Sequence, residues 1–345
     1  MRVNGRDVPA HLRGELVSHT GPLTTAALSA TFTQHGYVLL RSALPAAAVG
    51  AARAEVLERL HDVGEVESPT SRTWTGRSER AERHPNLGTF WKSVCEGPRV
   101  RELSHGDELR ALVSQLYGEG SRPTDILYMR PTVTGTGTAV HADFTFFATD
   151  IRDQRMINAW IPCSAIPVDE GPLMVVEGTH AIPSLVEPLL GIDFVSRHSG
   201  GSTEEAKRMT DVVYQANPQV LDLHPIELAE LYGTRLLTTK FQEGDVVLLS
   251  MLMLHGACDN LTPATRLSMD VRYQPAAHPA DDPRFFGPDP TNLTGGGYGD
   301  MTGAQPLSGG AGGADVLERM LDQDTHYDNP QWRSARSKEQ APAKL

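Results

Sequence analysis

The sequence predicts a mainly β core with flanking helices, and three observations carry that prediction. Of the 345 residues, 32 are Gly and 24 are Pro, a density of turn formers that suits many short strands better than a helical bundle. From about residue 124 onward, runs of alternating or continuous apolar residues recur between proline and glycine turns. Ahead of them lie segments with helical periodicity and recognisable stops.

Taken in order, residues 22–62 read as helix, strand and helix. LTTAALSATFTQHG ends at a glycine, YVLLR is a short β-rich run, and PAAAVGAARAEVLERL places strong helix formers after a proline. Residues 63–90 are polar and irregular. SHGDELRALVSQLYG (104–118) resumes a helical pattern, with Ser104 and Asp107 expected as N-terminal caps. The strand-like runs are DILYMRP, TAVHADFTFF, RMINAWIP, GPLMVV, GDVVLLS and RLSMDVRYQP. Residues 183–235 interrupt them with mixed helical and polar sequence, long enough for a lid over one end of a barrel. Beyond 280 the chain turns Gly- and Pro-rich (TGGGYG, SGGAGGAD) and ends in a polar tail expected to carry no chemistry. There is no internal repeat. The expectation is one domain over 1–345: a helical scaffold at 22–118, a β core at 124–275 with the 183–235 insertion, and a C-terminal segment at 280–345.

The formal charge is −12, with a sequence pI near 5.5. That balance lacks the basic footprint needed to track a nucleic-acid backbone or an anionic membrane, so the expected partner is a small molecule. Cys95, Cys163 and Cys258 are few, odd in number and without CxxC spacing, which argues against a disulfide framework and a zinc ribbon and for a reducing cytoplasm. The N-terminus has no apolar signal region, and the longest apolar stretch, VVLLSMLML, is far short of a membrane span.

His-x-Asp occurs three times, at His105/Asp107, His141/Asp143 and His326/Asp328. The first falls at an expected helix start, where Asp caps and His is surface, and the third in a turn. The second falls in an expected strand, where side chains two apart share a face, so His141 and Asp143 would point together into one cavity. His255, at the end of the apolar run GDVVLLSMLML, offers a third ligand. Two histidines and one carboxylate on one side of a metal leave positions open for a co-substrate and dioxygen, as in non-haem Fe(II) oxygenases. A lone His255 would otherwise be a core histidine. Eleven residues later Arg266 begins a strand in which Arg266, Ser268, Asp270 and Arg272 alternate with Leu267, Met269, Val271 and Tyr273. Such a strand suits a barrel with a polar interior, where an arginine either grips a carboxylate bidentately or forms an ion pair with Asp270.

HGYVLLRSAL, HAD, INAWIP, GPLMVVEGTH, EGDVVLL and the His-to-Arg spacing, in this order, resemble the phytanoyl-CoA dioxygenase-like family of Fe(II)- and 2-oxoglutarate-dependent oxygenases. The resemblance spans residues 35–275 and leans toward bacterial members that act on specialised metabolites. It implies a double-stranded β-helix, a cupin-like jelly roll, with iron at one mouth. It further implies that His141, Asp143 and His255 hold Fe(II) and that Arg266 grips the distal carboxylate of 2-oxoglutarate, with Trp160 and Tyr128 near the co-substrate. Ala257 stands where the family often has a hydroxyl residue. The intact Asp143 favours oxygen insertion over halogenation, and His180 is expected to be structural. The implied activity is hydroxylation of an unactivated C–H bond of a small, hydrophobic metabolite, with release of succinate and CO2. Phe144, Phe146, Phe147 and Tyr214 are candidate pocket aromatics. The alternatives are a cupin-like binding module without turnover, the same iron chemistry giving desaturation or ring rearrangement, and a zinc hydrolase using the same ligands.

Overall fold

The computed structural model describes residues 1–84, 86–147, 155–190, 223–291 and 297–300. Its centre is a pair of facing sheets. One has six strands in the order β4 (Ser18–Thr20), β5 (Tyr37–Arg41), β10 (Val246–Ser250), β7 (Ile157–Pro162), β12 (Arg266–Pro275) and β6 (Ser121–Thr132). The other has four, ordered β11 (His255–Ala257), β8 (Leu173–Val176), β9 (Leu236–Thr238) and β3 (Arg13–Glu15). From β9 to β12 consecutive strands alternate between the two sheets, β9 and β11 in the smaller and β10 and β12 in the larger, as in the jelly roll that the resemblance implies. A small hairpin of β1 (Arg2–Val3) and β2 (Arg6–Asp7) precedes them.

The six-stranded sheet is buried on both faces, which is why YVLLR and VVLLS read as continuous apolar runs. Tyr37, Leu39, Val247, Leu249 and Trp160 face inward and pack against Leu173, Val175 and Leu237 of the opposite sheet. Val38, Leu40, Val246 and Leu248 face outward into a larger core shared with the helices. Those helices are α1 (Thr25–His35), α2 (Ala46–Asp62), α4 (Leu87–Cys95), α5 (Pro98–His105) and α6 (Asp107–Tyr117), with the single turn α3 (Arg80–Arg83) before α4. Gly36 ends α1 in the left-handed conformation (φ 72°), its N–H donating to the Phe32 carbonyl at 2.8 Å, and so turns the chain directly into β5.

Several expectations need correction. The stretch 104–118 is two helices, because Gly106 takes an extended conformation (ψ 170°) and is the N-cap of α6. Ser104 is instead buried in α5, where its hydroxyl donates to the Val100 carbonyl, and Asp107 lies in the first turn of α6. His105 is not a surface residue: its Nε2 lies 3.0 Å from the Thr124 carbonyl and burial lowers its pKa to about 4. The irregular stretch 63–90 contains α3 and the start of α4. The third pair, His326/Asp328, lies outside the described residues.

The expected lid at 183–235 is described only at its ends. Helix α8 spans Pro183–Leu190, and α9 (Pro225–Tyr232) packs near β9 and the N-terminal hairpin, where Arg6 bonds Glu227 at 2.7 Å. Residues 191–222, with Tyr214, lie outside the description. Past β12 the C-terminal segment is not mere tail: Phe285 is fully buried, and its carbonyl accepts the Asp125 N–H at 2.8 Å. No helix among the described residues is long and apolar enough to cross a membrane, and the three cysteines are buried and form no disulfide.

Candidate metal and co-substrate site

His141 and Asp143 do not lie in a regular strand, contrary to expectation. His141 forms an isolated bridge with His255, and the chain then turns into a short helix, α7 (Phe144–Phe147). The Phe144 N–H is drawn to the Met251 carbonyl (2.7 Å), and the Phe147 N–H closes back on the Asp143 carbonyl (3.1 Å). His255 does not end the apolar strand β10. A turn at 251–253 carries the chain to the other sheet, and His255 opens β11.

The three side chains nevertheless converge. One ligand atom from each of His141, Asp143 and His255 lies within 4.8 Å of the others. His141 Nε2 is 3.6 Å from Asp143 Oδ1, and His255 Nε2 is 3.9 Å from Asp143 Oδ2. On the far side of each ring, Nδ1 faces a carbonyl two residues back: His141 to Ala139 at 2.8 Å and His255 to Met253 at 2.9 Å. A carbonyl can only accept, so each Nδ1 carries a proton and Nε2 is the nitrogen turned to the site. Burial, then the neighbouring His141, lowers the His255 pKa to about 4, so this ring is neutral near pH 7. Burial alone would raise the Asp143 pKa, but the Arg272 guanidinium, aided by the two histidines, holds it well below the usual carboxylate range. Two imidazoles that each turn Nε2 to the site and one carboxylate fit a divalent iron.

Strand β12 supplies the floor. Its inward row Arg266, Ser268, Asp270 and Arg272 is flanked across β6 by Thr132, Arg130 and Tyr128, and across β7 by Pro162, Trp160 and Asn158. Register therefore dictates the polar contacts. Arg272 and Asn158, directly opposite, both reach Asp143: Arg272 Nη2 donates to Oδ1 and Asn158 Nδ2 to Oδ2, each at 2.7 Å. Arg130, diagonal to Asp270, donates to it through Nε at 2.6 Å and Nη2 at 3.3 Å. Arg272 closes the row by donating Nη1 to Asp270.

Arg266 stands apart. It is 1 % exposed, yet its Nη1 and Nη2 donate only to hydroxyls, Ser268 Oγ and Thr132 Oγ1, both at 2.5 Å, and its Nε has no partner. Among the described residues it has no carboxylate within ion-pair distance, so the ion pair with Asp270 is not formed: Asp270 serves Arg130 and Arg272 instead. Burial, and secondarily Arg130, lowers the Arg266 pKa to about 10, which still leaves it charged. A buried cation held by two hydroxyls suits a carboxylate ligand.

A cavity lies between several of these groups. Its lining includes His141, His255, Arg266, Arg130, Asn158 and Trp160, with Ala257 at the position lacking the hydroxyl. Trp160 lines it and packs on Phe241, with ring centroids 4.8 Å apart. Tyr128 is not part of the lining; its ring lies under the guanidinium groups of Arg272 (5.1 Å) and Arg130 (5.3 Å). Phe144 and Phe147 are core residues outside that lining, and nothing is described of the Phe146 side chain. His180 is remote, with Nε2 3.2 Å from the Thr33 carbonyl. Sequence reasoning missed Arg130, Asn158 and Thr132. Alternation held the signal, since Arg130 and Thr132 lie two and four residues from Tyr128, and Asn158 two from Trp160, on the same strand face.

A jelly roll that brings two histidines and a carboxylate together beside a cavity lined by a buried arginine without a carboxylate partner defines the architecture of a metal-dependent oxygenase. The phytanoyl-CoA dioxygenase (PhyH) family model matches residues 32–268, and the chain belongs to that family. It is accordingly a non-haem iron enzyme that uses 2-oxoglutarate and dioxygen. No curated protein sequence matches it. Among solved structures it is similar to the 2-oxoglutarate-dependent epimerase SnoN of nogalamycin biosynthesis (19 % identity, TM-score 0.45, covering 73 % of this chain and 83 % of that one). It is also similar to EctD from S. alaskensis (18 %, TM-score 0.47, 85 % and 96 %) and to HygX from Streptomyces hygroscopicus with nickel and 2-oxoglutarate bound (18 %, TM-score 0.45, 74 % and 89 %).

Proposed function

We propose that His141, Asp143 and His255 hold Fe(II), that Arg266 grips the remote carboxylate of 2-oxoglutarate, and that the enzyme hydroxylates an unactivated C–H bond of a small, hydrophobic specialised metabolite in the cytoplasm, acting as one domain. The observation that carries this reading is the buried, carboxylate-free guanidinium of Arg266 in the same cavity as His141 and His255. Bound iron supplies the oxidising power for a C–H bond that no side chain possesses. The chain's own residues do the rest. The Ala139 and Met253 carbonyls fix the histidine tautomers, while Arg272 and Asn158 hold the carboxylate. Thr132 and Ser268 aim Arg266, whose Nε is left to bind. Trp160, Leu173, Gly256 and Ala257 form the apolar part of the lining and suit an apolar group beside the metal. Cysteines that form no disulfide fit a reducing compartment.

The test is anaerobic loading with Fe(II) and 2-oxoglutarate, followed by oxygen and a metabolite screen. A weak visible charge-transfer band before oxygen, and succinate with a product heavier by one oxygen after it, are expected. Binding without succinate under any candidate metabolite would identify a non-turnover module, and a product lighter by two hydrogens or of unchanged formula would identify desaturation or rearrangement.

A further inference from the structure

Asp143 reaches the candidate metal site from a short turn rather than from a strand, so backbone pairing does not hold its side chain. Arg272 does. Its Nη2 donates to Asp143 Oδ1 at 2.7 Å while its Nη1 donates to Asp270, and all three side chains are almost wholly buried. The flat guanidinium is itself clamped. Its Cζ lies 3.9 Å from the centroid of the Phe147 ring and 5.1 Å from that of Tyr128. Phe147 is backed in turn by Phe285 of the C-terminal segment at 5.4 Å. Asp270 is anchored to Arg130. A hydrogen-bonded row thus runs from Arg130, through Asp270 and Arg272, to the carboxylate of Asp143.

From this geometry we infer that Arg272 is a positioning residue for the metal: it holds Asp143 in its ligating rotamer before iron arrives, and Phe147 and Phe285 hold Arg272. The inference rests on the metal assignment above. Two effects of Arg272 oppose each other. Its positive charge repels a divalent cation, whereas its hydrogen bond pre-orients a ligand that would otherwise rotate. The row of alternating charges decides between them, because Asp143 and Asp270 flank the guanidinium and neutralise most of its field at the metal. Orientation is what remains, and outer partners of metal ligands commonly set affinity by ten- to a hundredfold. Lysine keeps the charge but cannot span both carboxylates while lying flat on Phe147.

The test is titration of the metal-free protein with Co(II) alone, read by visible absorption and independent of turnover. Arg272→Lys and Arg272→Met should each raise the Co(II) dissociation constant at least tenfold and alter the shape of the bands. Phe147→Leu, which leaves every charge in place, should raise it about threefold. Parental affinity and bands in Arg272→Lys would overturn the inference, as would tighter binding in Arg272→Met, the mark of simple charge repulsion. Should neither Arg272 variant fold, Phe147→Leu decides, and parental Co(II) affinity there overturns it. A parent protein that binds no Co(II) removes the metal assignment itself, an outcome distinct from the others.

Discussion

His141 and His255, 114 residues apart in the chain, exchange both of their backbone hydrogen bonds, N to O at 2.9 Å in each direction. They form an antiparallel bridge, next to which the Ala257 N–H donates to the Thr138 carbonyl at 3.0 Å. Residues so paired project to the same side, and the two imidazole centroids are 4.4 Å apart. The spacing of two ligands is therefore set by backbone, and only Asp143 needs a side-chain brace.

This bridge depends on close approach of the chain at Gly256. A Cβ there would stand 2.6 Å from the Thr138 carbonyl oxygen and 3.2 Å from that of Ala139, both backbone atoms that cannot swing away. Gly256→Ala should push β11 from residues 138–139, destabilise the fold by about 1–3 kcal/mol and weaken Co(II) binding. Urea unfolding and metal titration would show it. A variant equal to the parent in both would mean the segment yields freely.

Arg266 should act on co-substrate alone. Arg266→Lys should raise the KM for 2-oxoglutarate roughly tenfold and Arg266→Ala up to about a hundredfold, as expected for hydrogen bonds to a charged group. Metal affinity should not move. Steady-state kinetics at varied 2-oxoglutarate decide this, and unchanged KM values would return Arg266 to a purely structural role.

Asp143 balances charge as well as offering an oxygen. Asp143→Ala should cost the metal-free protein about 3 kcal/mol, because the buried Arg272 loses one of its two carboxylates. It should also abolish the Co(II) spectrum. Chemical denaturation of metal-free parent and variant gives the comparison, and equal midpoints would show that the pair contributes nothing net.

Acid should destabilise the metal-free protein in a definite window. Burial, followed by His141 for His255 and by Arg101 for His105, lowers both pKa values from 6.5 to about 4. Between these limits the unfolded chain binds protons that the folded chain refuses. The stabilisation is thus complete above pH 6.5 and lost as pH falls to about 4, up to about 3 kcal/mol for each histidine. Unfolding midpoints measured from pH 7.5 to 4.5 should fall, and His105→Gln should flatten the decline. A level profile in the parent would contradict it.

Much of the barrel was legible because its strands announce themselves locally. VVLLS and RLSMDVRYQP carry their pattern in neighbouring residues, and a strand buried on both faces has to be apolar throughout. The polar row Arg266, Ser268, Asp270 and Arg272 was equally readable, since alternation needs only the pleat. HADFTFF misled for the same reason. Its apolar alternation suits a strand, but the Met251 carbonyl captures the Phe144 N–H and bends the chain into α7, a choice made by a residue 107 positions away.

Residue identity and spacing alone singled out His141, Asp143, His255 and Arg266, because the order of donors along a chain is a one-dimensional property. Which arginine stays free was not. Arg266 and Arg272 share a strand and a face, and only the register of β12 against β6 and β7 gives Arg272 two carboxylates while leaving Arg266 two hydroxyls. Charge pairing depends on distances of a few ångströms between strands far apart in sequence, and only the closed barrel sets those distances.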